Sequence, residues 1–248
     1  MKKWIVVLVV AVVAIGFALF HFLKKDPNAL WDIVHDGCTR EQRLHGKPTP
    51  CVAVNLQEGW AIFKDAVGKT QVLLIPTKRV TGIEDPQIVA NDAPNYWQAA
   101  WDARTYVQQR APGILQRDEI ALAINSKDAR SQNQLHIHVD CIRSDVRDQL
   151  RLAQPHINDS WSDISVNGEA YRIKALDAEE LRDENVFLLV LKQLPPGEEM
   201  GGETVAVVGA TLAGNKEGFN VLAGRNGVGG NNGSSEVLED HACAVAKK

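Results

Sequence analysis

The chain reads as an α+β protein, an antiparallel sheet with helices packed on it, preceded by one membrane-spanning helix. Three observations predict this class. Short apolar or alternating segments recur between Gly, Pro and Asn turns, the pattern of antiparallel strands. Segments with apolar residues at helical spacing stand before and among them. Trp4 to Leu23 is a run with no acidic or basic side chain other than His21, about the length that crosses a hydrocarbon core of roughly 30 Å as a helix. With 45% hydrophobic residues among 248, the remainder can bury a sizeable core.

In chain order, the apolar run is longer than the usual signal-peptide h-region, and no small-x-small site precedes Lys24. An uncleaved anchor over 4–23 is therefore expected, followed by one domain over 27–248. Lys2, Lys3, Lys24 and Lys25 lie on both sides and do not orient it. Asp26 to Arg43 is expected to be helical, with Asn28 as cap and Leu30, Ile33 and Val34 on one face. Gly46, Pro48 and Pro50 make 43–51 a loop. Strands over Val52 to Leu56, Trp60 to Asp65 and Gln71 to Pro76, divided by turns at Glu58-Gly59 and Val67-Gly68, form an antiparallel meander. After an irregular Thr77 to Pro94, the spacing of Trp97, Ala100, Trp101 and Arg104 predicts a helix over Asn95 to Arg110, with its tryptophans in the core. Glu119 to Asn125 is the next strand, joined by the polar loop Ser126 to Gln134 to a strand over Gln134 to Ile142.

Beyond Arg143 a helical or irregular stretch runs to Trp161. Strands are expected near Ser162 to Val166, Tyr171 to Lys174, Val186 to Leu191, Thr204 to Val208 and Asn220 to Leu222. Gly224 to Gly233 is glycine-rich but lacks the Lys-Ser/Thr of a phosphate loop. It reads as a mobile loop leading to a short helix capped by Ser234 or Ser235, with Cys243 near its end. No change of composition marks a second domain.

Formal net charge is −4, but four of the 27 bases flank the anchor, leaving 23 against 31 acids and a body at −8. A nucleic-acid partner, which needs a basic stripe, is excluded on that ground. The four cysteines, Cys38, Cys51, Cys141 and Cys243, contain no C-x-x-C pair and so suggest neither a zinc ribbon nor a thioredoxin-type site. Two disulfides follow if the body lies in an oxidising space. Cys38 with Cys51 would staple a short loop, leaving Cys141 for Cys243; two other pairings, and four free thiols in a cytoplasmic protein, remain open.

Read as a strand, Gln134 to Ile142 places His136, His138 and Asp140 on one face and Leu135, Ile137, Val139 and Cys141 on the other. The plain alternative is the solvent side of an edge strand. Two imidazoles beside a carboxylate serve as metal ligands, general bases or nucleophiles towards phosphorus. A His-x-His pair can hold zinc, but a catalytic zinc recruits a third protein ligand and no second ligand motif stands out. His35, His45, His156 and His241 are scattered and read as surface or satisfied core residues.

His136-Ile137-His138-Val139-Asp140 resembles the histidine-triad (HIT) motif, in which three histidines alternate with apolar residues. Asn125, eleven residues before the first histidine, Gln132, four before it, and Asn133 fall where that family carries polar side chains towards phosphate. Leu73 to Arg79 resembles its strand end before a helix. Over nearly the whole chain, the anchor, Ala29 to Val34, the four cysteines, Gln132 to His138 and Asp240-His241-x-Cys243 are similar to the bacterial CDP-diacylglycerol pyrophosphatases.

The resemblance implies a HIT-like α+β fold and hydrolysis of CDP-diacylglycerol to CMP and phosphatidate. His138 would be the nucleophile and form a nucleotidyl-histidine that water resolves. His136 would shape the site, its backbone carbonyl fixing the His138 tautomer, and Asn125, Gln132 and Asn133 would hold phosphate oxygens. Neither a metal nor another cofactor is implied. Asp140 stands where the family has its third histidine, and an ionised carboxylate cannot give a proton to the leaving phosphate. The partners implied are a lipid nucleotide and a bilayer, the location an inner membrane with the catalytic domain in a periplasm. A metal-dependent phosphoesterase and a tethered nucleotide- or lipid-binding module are the competing functions.

Overall fold

The computed structural model describes residues 26–246. The expected membrane-spanning segment 4–23 lies outside them, and among the described residues no helix is long and apolar enough to cross a membrane.

Nine antiparallel strands form one sheet: β1 (Ala53–Asn55), β2 (Trp60–Lys64), β3 (Val72–Pro76), β4 (Ile120–Ile124), β5 (Ile137–Cys141), β6 (Ser162–Val166), β7 (Glu169–Asp177), β8 (Glu203–Leu212) and β9 (Lys216–Arg225). Their spatial order is β1-β2-β3-β5-β4-β8-β9-β7-β6. The expected meander is β1-β2-β3; at its first turn Asn55 Oδ1 accepts from Gln57 N and Glu58 N while Gly59 takes a φ of 77°. The His-containing strand β5 inserts between β3 and β4, so it is interior and not an edge.

Alternation then sorts the sheet's two faces. Ile137, Val139 and Cys141 join Val72, Leu74, Leu122 and Val207 on one face, under Trp97, Trp101 and Phe187. Both tryptophans sit on the helix Tyr96–Asp102, where Asn95 caps the start by accepting from Gln98 N, and a second short helix, Arg104–Gln108, follows it and buries Val107. On the opposite face two apolar patches stand apart. One packs Leu30 and Val34 of the N-terminal helical segment on Leu73 and Ile75. The other packs Val146 and Leu150 of the helix Ser144–Ala153 on Ala121, Ala206 and Leu222. His138 and Asp140 emerge on this face.

Three expectations are corrected. Val186–Leu191 is a helix and not a strand: Asn185 accepts from Phe187 N and Leu188 N, and Val186, Phe187 and Val190 bury one side. A short unbroken apolar run carries no period to separate the two states. Asn28 does not cap the first helix; its side-chain oxygen accepts from Arg79. The glycine-rich loop is pinned: Asn231 is buried and Gly233 O accepts from Ser126 N. It leads to a 3-10 turn, Ser235–Leu238, that ends before Cys243 and has no side-chain cap from Ser234.

Both cysteine pairs are disulfides, Cys38–Cys51 and Cys141–Cys243, with Cα atoms 5.4 and 5.2 Å apart, inside the usual range.

Candidate active site

The register explains how the site has room. His138 lies opposite Leu73 on β3 and Ala123 on β4, and Asp140 opposite Ala121. Two alanines beside an imidazole and a carboxylate leave their side chains the space above the sheet. The C-terminal segment fills it: Asp240 N donates to Cys141 O and Ile142 bridges to Glu239, so residues 239–243 run along the end of β5. The Cys141–Cys243 bond fastens this crossing on the apolar face.

His138 is buried. Its Nδ1 lies 2.8 Å from Gln71 Nε2 and 3.4 Å from Glu236 Oε1, and its Nε2 is buried with no partner among the described residues. Burial, reinforced by the neighbouring His136, pushes the ring's pKa down to about 3, so it is neutral. An acidic neighbour at Nδ1 favours the proton there and leaves the Nε2 lone pair free. Gln71 Oε1 is likewise buried without a partner; a half-turn of the amide, which leaves its shape unchanged, brings that oxygen to the Nδ1 proton. Glu239 Oε2 lies 3.5 Å from the same amide end. Burial, then Asp140 and Glu236, push the Glu239 carboxyl well above the usual range, favouring the protonated form that can donate to Gln71.

The tautomer of His138 is thus set by Gln71 and Glu236, which corrects the expectation of a His136 carbonyl. His136 precedes β5 and turns back, donating from Nδ1 to Gln134 O at 2.8 Å; its ring stands edge-on to His138 with centroids 4.9 Å apart.

Asp140 is fully buried as an acceptor. Oδ1 takes bonds from Thr70 Oγ1 at 2.5 Å and Cys141 N at 2.9 Å, and Oδ2 takes one from His241 Nδ1 at 2.9 Å. His241 Nε2 lies 3.5 Å from Glu236 Oε1. The Asp140 bond first, then Glu236, raise the His241 pKa to about 10, making it an imidazolium at neutral pH. Burial opposes ionisation of Glu236, but His241, His138 and the Asn125 amide outweigh it and hold that carboxyl down at about 2. His241, expected as a scattered surface or satisfied core residue, is brought by these contacts beside Asp140 and Glu236.

A neutral imidazole with a free lone pair, next to an imidazolium held between two carboxylates, is equipped for nucleophilic displacement with acid assistance. Among the described residues no three His, Cys, Asp or Glu side chains are grouped to hold a metal ion.

The CDP-diacylglycerol pyrophosphatase family model matches residues 25–247. The chain belongs to this family. A Yersinia pestis CDP-diacylglycerol pyrophosphatase is 30% identical over 247 residues, 98% of this chain and 95% of that protein. The family name is that of a hydrolase of a phosphoric anhydride.

In this member of the CDP-diacylglycerol pyrophosphatase family the site gathers His136, His138 and Asp140 as the strand pattern predicts, and adds Gln71, Thr70, Glu236, Glu239 and His241. Asn125 joins through Glu236, donating from Nδ2 to Oε2 at 3.0 Å, and its oxygen accepts from Ser234 Oγ at 2.9 Å. Gln132 binds the N-terminal segment, accepting from Leu30 N and donating to Asp26 O, each at 3.0 Å. Asn133 is exposed, and its Oδ1 accepts from Arg130 Nη2 at 3.4 Å. One sequence signal pointed to His241: it lies two residues before the cysteine that pairs with Cys141, the neighbour of Asp140.

Proposed function

We propose that the chain is a membrane-anchored CDP-diacylglycerol pyrophosphatase that releases CMP and phosphatidate through a nucleotidyl-His138 intermediate, in phospholipid turnover. The observation that carries the mechanism is the unpartnered, buried Nε2 of a neutral His138. An orphaned buried nitrogen costs on the order of 1–3 kcal/mol, a cost that a bond to phosphorus removes. Glu236, 3.4 Å from Nδ1, stabilises the positive charge that the ring acquires when Nε2 attacks. Asn133, whose amide nitrogen has no partner among the described residues, is the member of the implied phosphate set readiest to meet an oxygen; Asn125 and Gln132 must first release their present bonds.

Attachment at 4–23 suits a substrate whose diacyl tail stays in a bilayer, because tethering raises the enzyme's concentration at the lipid. Two disulfides support an oxidising compartment, hence an inner-membrane protein facing the periplasm.

The test is CMP release from CDP-diacylglycerol in detergent micelles by the full-length protein in EDTA. Turnover in EDTA, lost in a folded His138→Ala protein, supports the reading. Loss in EDTA with recovery in Zn²⁺ or Mn²⁺ favours a metal-dependent phosphoesterase, and CDP binding without any turnover favours a binding module.

A further inference from the structure

His241 is the one imidazole of the cluster that reaches solvent: its side chain is 31% exposed against 6% for His138. It lines two clefts, which share His241 and Ala242 in their walls. One, of about 500 Å³, is bordered by Arg143, Ser144 and Glu239; the other, of about 450 Å³, by Lys69, Thr70 and Arg110. Its Nδ1 is tied to Asp140 at 2.9 Å, whereas its Nε2 meets Glu236 only at 3.5 Å, the outer limit of a hydrogen bond. The anchored nitrogen fixes the ring, and the weakly held Nε2 proton stays available to a ligand oxygen that approaches in the ring plane. Lysine and arginine beside it suit a leaving group that carries phosphate.

We propose that His241 is the general acid that protonates the departing phosphatidate, with Asp140 as its positioning residue. The proposal rests on the reading of His138 as nucleophile. His138 Nε2 forms a bond to the cytidylyl phosphorus while the bond from that phosphorus to the bridging oxygen breaks. The electron pair left on the bridging oxygen takes the Nε2 proton of His241, which becomes neutral. Water then attacks the same phosphorus and gives a proton to His241 as the P–N bond breaks. CMP leaves, and both rings return to their starting states. Asp140 therefore fills the third motif position by holding an imidazole that comes from the far end of the chain. The charged and titratable groups around His241 are Asp140 and His138 from β5, Glu236, Glu239 and Asp240 from the C-terminal segment, Arg143 and Asp145 along one cleft, and Lys69 and Arg110 along the other. Asp140 and Glu236 make the direct contacts and keep the ring protonated well beyond neutral pH.

The experiment compares two substrates of the full-length protein, CDP-diacylglycerol and the 4-nitrophenyl ester of CMP, whose leaving group departs without a proton. In the wild type the rate on CDP-diacylglycerol falls along an alkaline limb near pH 10 that the nitrophenyl ester lacks. His241→Gln lowers kcat on CDP-diacylglycerol by about 10²–10⁴-fold and on the ester by less than about tenfold, and Asp140→Asn moves the alkaline limb towards neutral pH. Equal losses on both substrates in a His241→Gln protein with an unchanged urea midpoint, or the same alkaline limb on both substrates in the wild type, overturn the proposal. The wild-type comparison stands even if the variant does not fold. Failure of the underlying reading looks different: His138→Ala would then still cleave the ester.

Discussion

Removing the Cys141–Cys243 bond should cost more than removing Cys38–Cys51, by an amount that follows from where each falls in the chain. The first joins residues 102 apart and the second residues 13 apart. In the chain-entropy treatment a closed loop of roughly 100 residues stabilises by about 4.7 kcal/mol and one of roughly 15 by about 3 kcal/mol. Cys141 and Cys243 are both buried in the main core, so truncation adds a cavity cost on the order of 1 kcal/mol. Urea unfolding of full-length Cys141→Ala/Cys243→Ala and Cys38→Ala/Cys51→Ala proteins, followed by fluorescence of the buried Trp97 and Trp101, should give losses of about 6 and about 3 kcal/mol. The long-loop variant should also lose turnover before it unfolds, because the bond fastens the segment that carries His241 to Asp140. A long-loop cost below about 1 kcal/mol, or full turnover in that variant, would refute the claim that the bond holds the C-terminal segment on β5.

Gln71→Leu should lower kcat about 10–100-fold with little change in KM, since it removes the partner at His138 Nδ1 without touching the nucleophilic nitrogen; an unchanged kcat would show that Glu236 sets the tautomer alone. On the acid side, activity should persist until the pH approaches 3, where His138 takes a proton, and a limb near pH 6.5 would mean that the ring is not desolvated as its burial implies. The His241 pKa is raised on folding, so its contribution to stability is complete below pH 6.5 and is lost as pH rises towards 10; wild type should lose urea resistance over that window and His241→Gln should not share that loss. Away from the site, Arg147→Met removes the guanidinium 2.9 Å from the buried Glu119, whose Oε2 still accepts from Gln116 N, and should cost about 1–3 kcal/mol in urea unfolding; an unchanged urea midpoint would mean that this ion pair contributes nothing to stability.

How much of this was legible in the sequence depends on the range over which each feature is encoded. Alternation along Gln134 to Ile142 correctly separated His138 and Asp140 from Ile137, Val139 and Cys141, because a strand's side-chain period is local. The meander was readable from its turns, and the helix at Trp97 and Trp101 from its spacing. The residues that complete the site were not: Gln71 lies 67 positions from His138 and His241 lies 101 from Asp140. They meet because β5 inserts between β3 and β4 and the C-terminal segment crosses its end, and no local period reports a sheet order. Gln132 sits at the motif spacing yet binds the N-terminal helical segment, since spacing fixes a position and not the partner that reaches it first. The helix at Val186 was missed for a smaller reason, an N-cap at Asn185 hidden in front of an unbroken apolar run.

During turnover His138 should carry the cytidylyl group. Full-length protein mixed with CDP-diacylglycerol labelled in its cytidylyl phosphate and quenched in alkali, because the P–N bond of a phosphorylated imidazole is acid-labile, should yield one labelled peptide, containing His138, with label that appears and decays at the rate of turnover. Label on another residue, or turnover with no labelled peptide while His138→Ala remains active, would rule out His138 as the nucleophile.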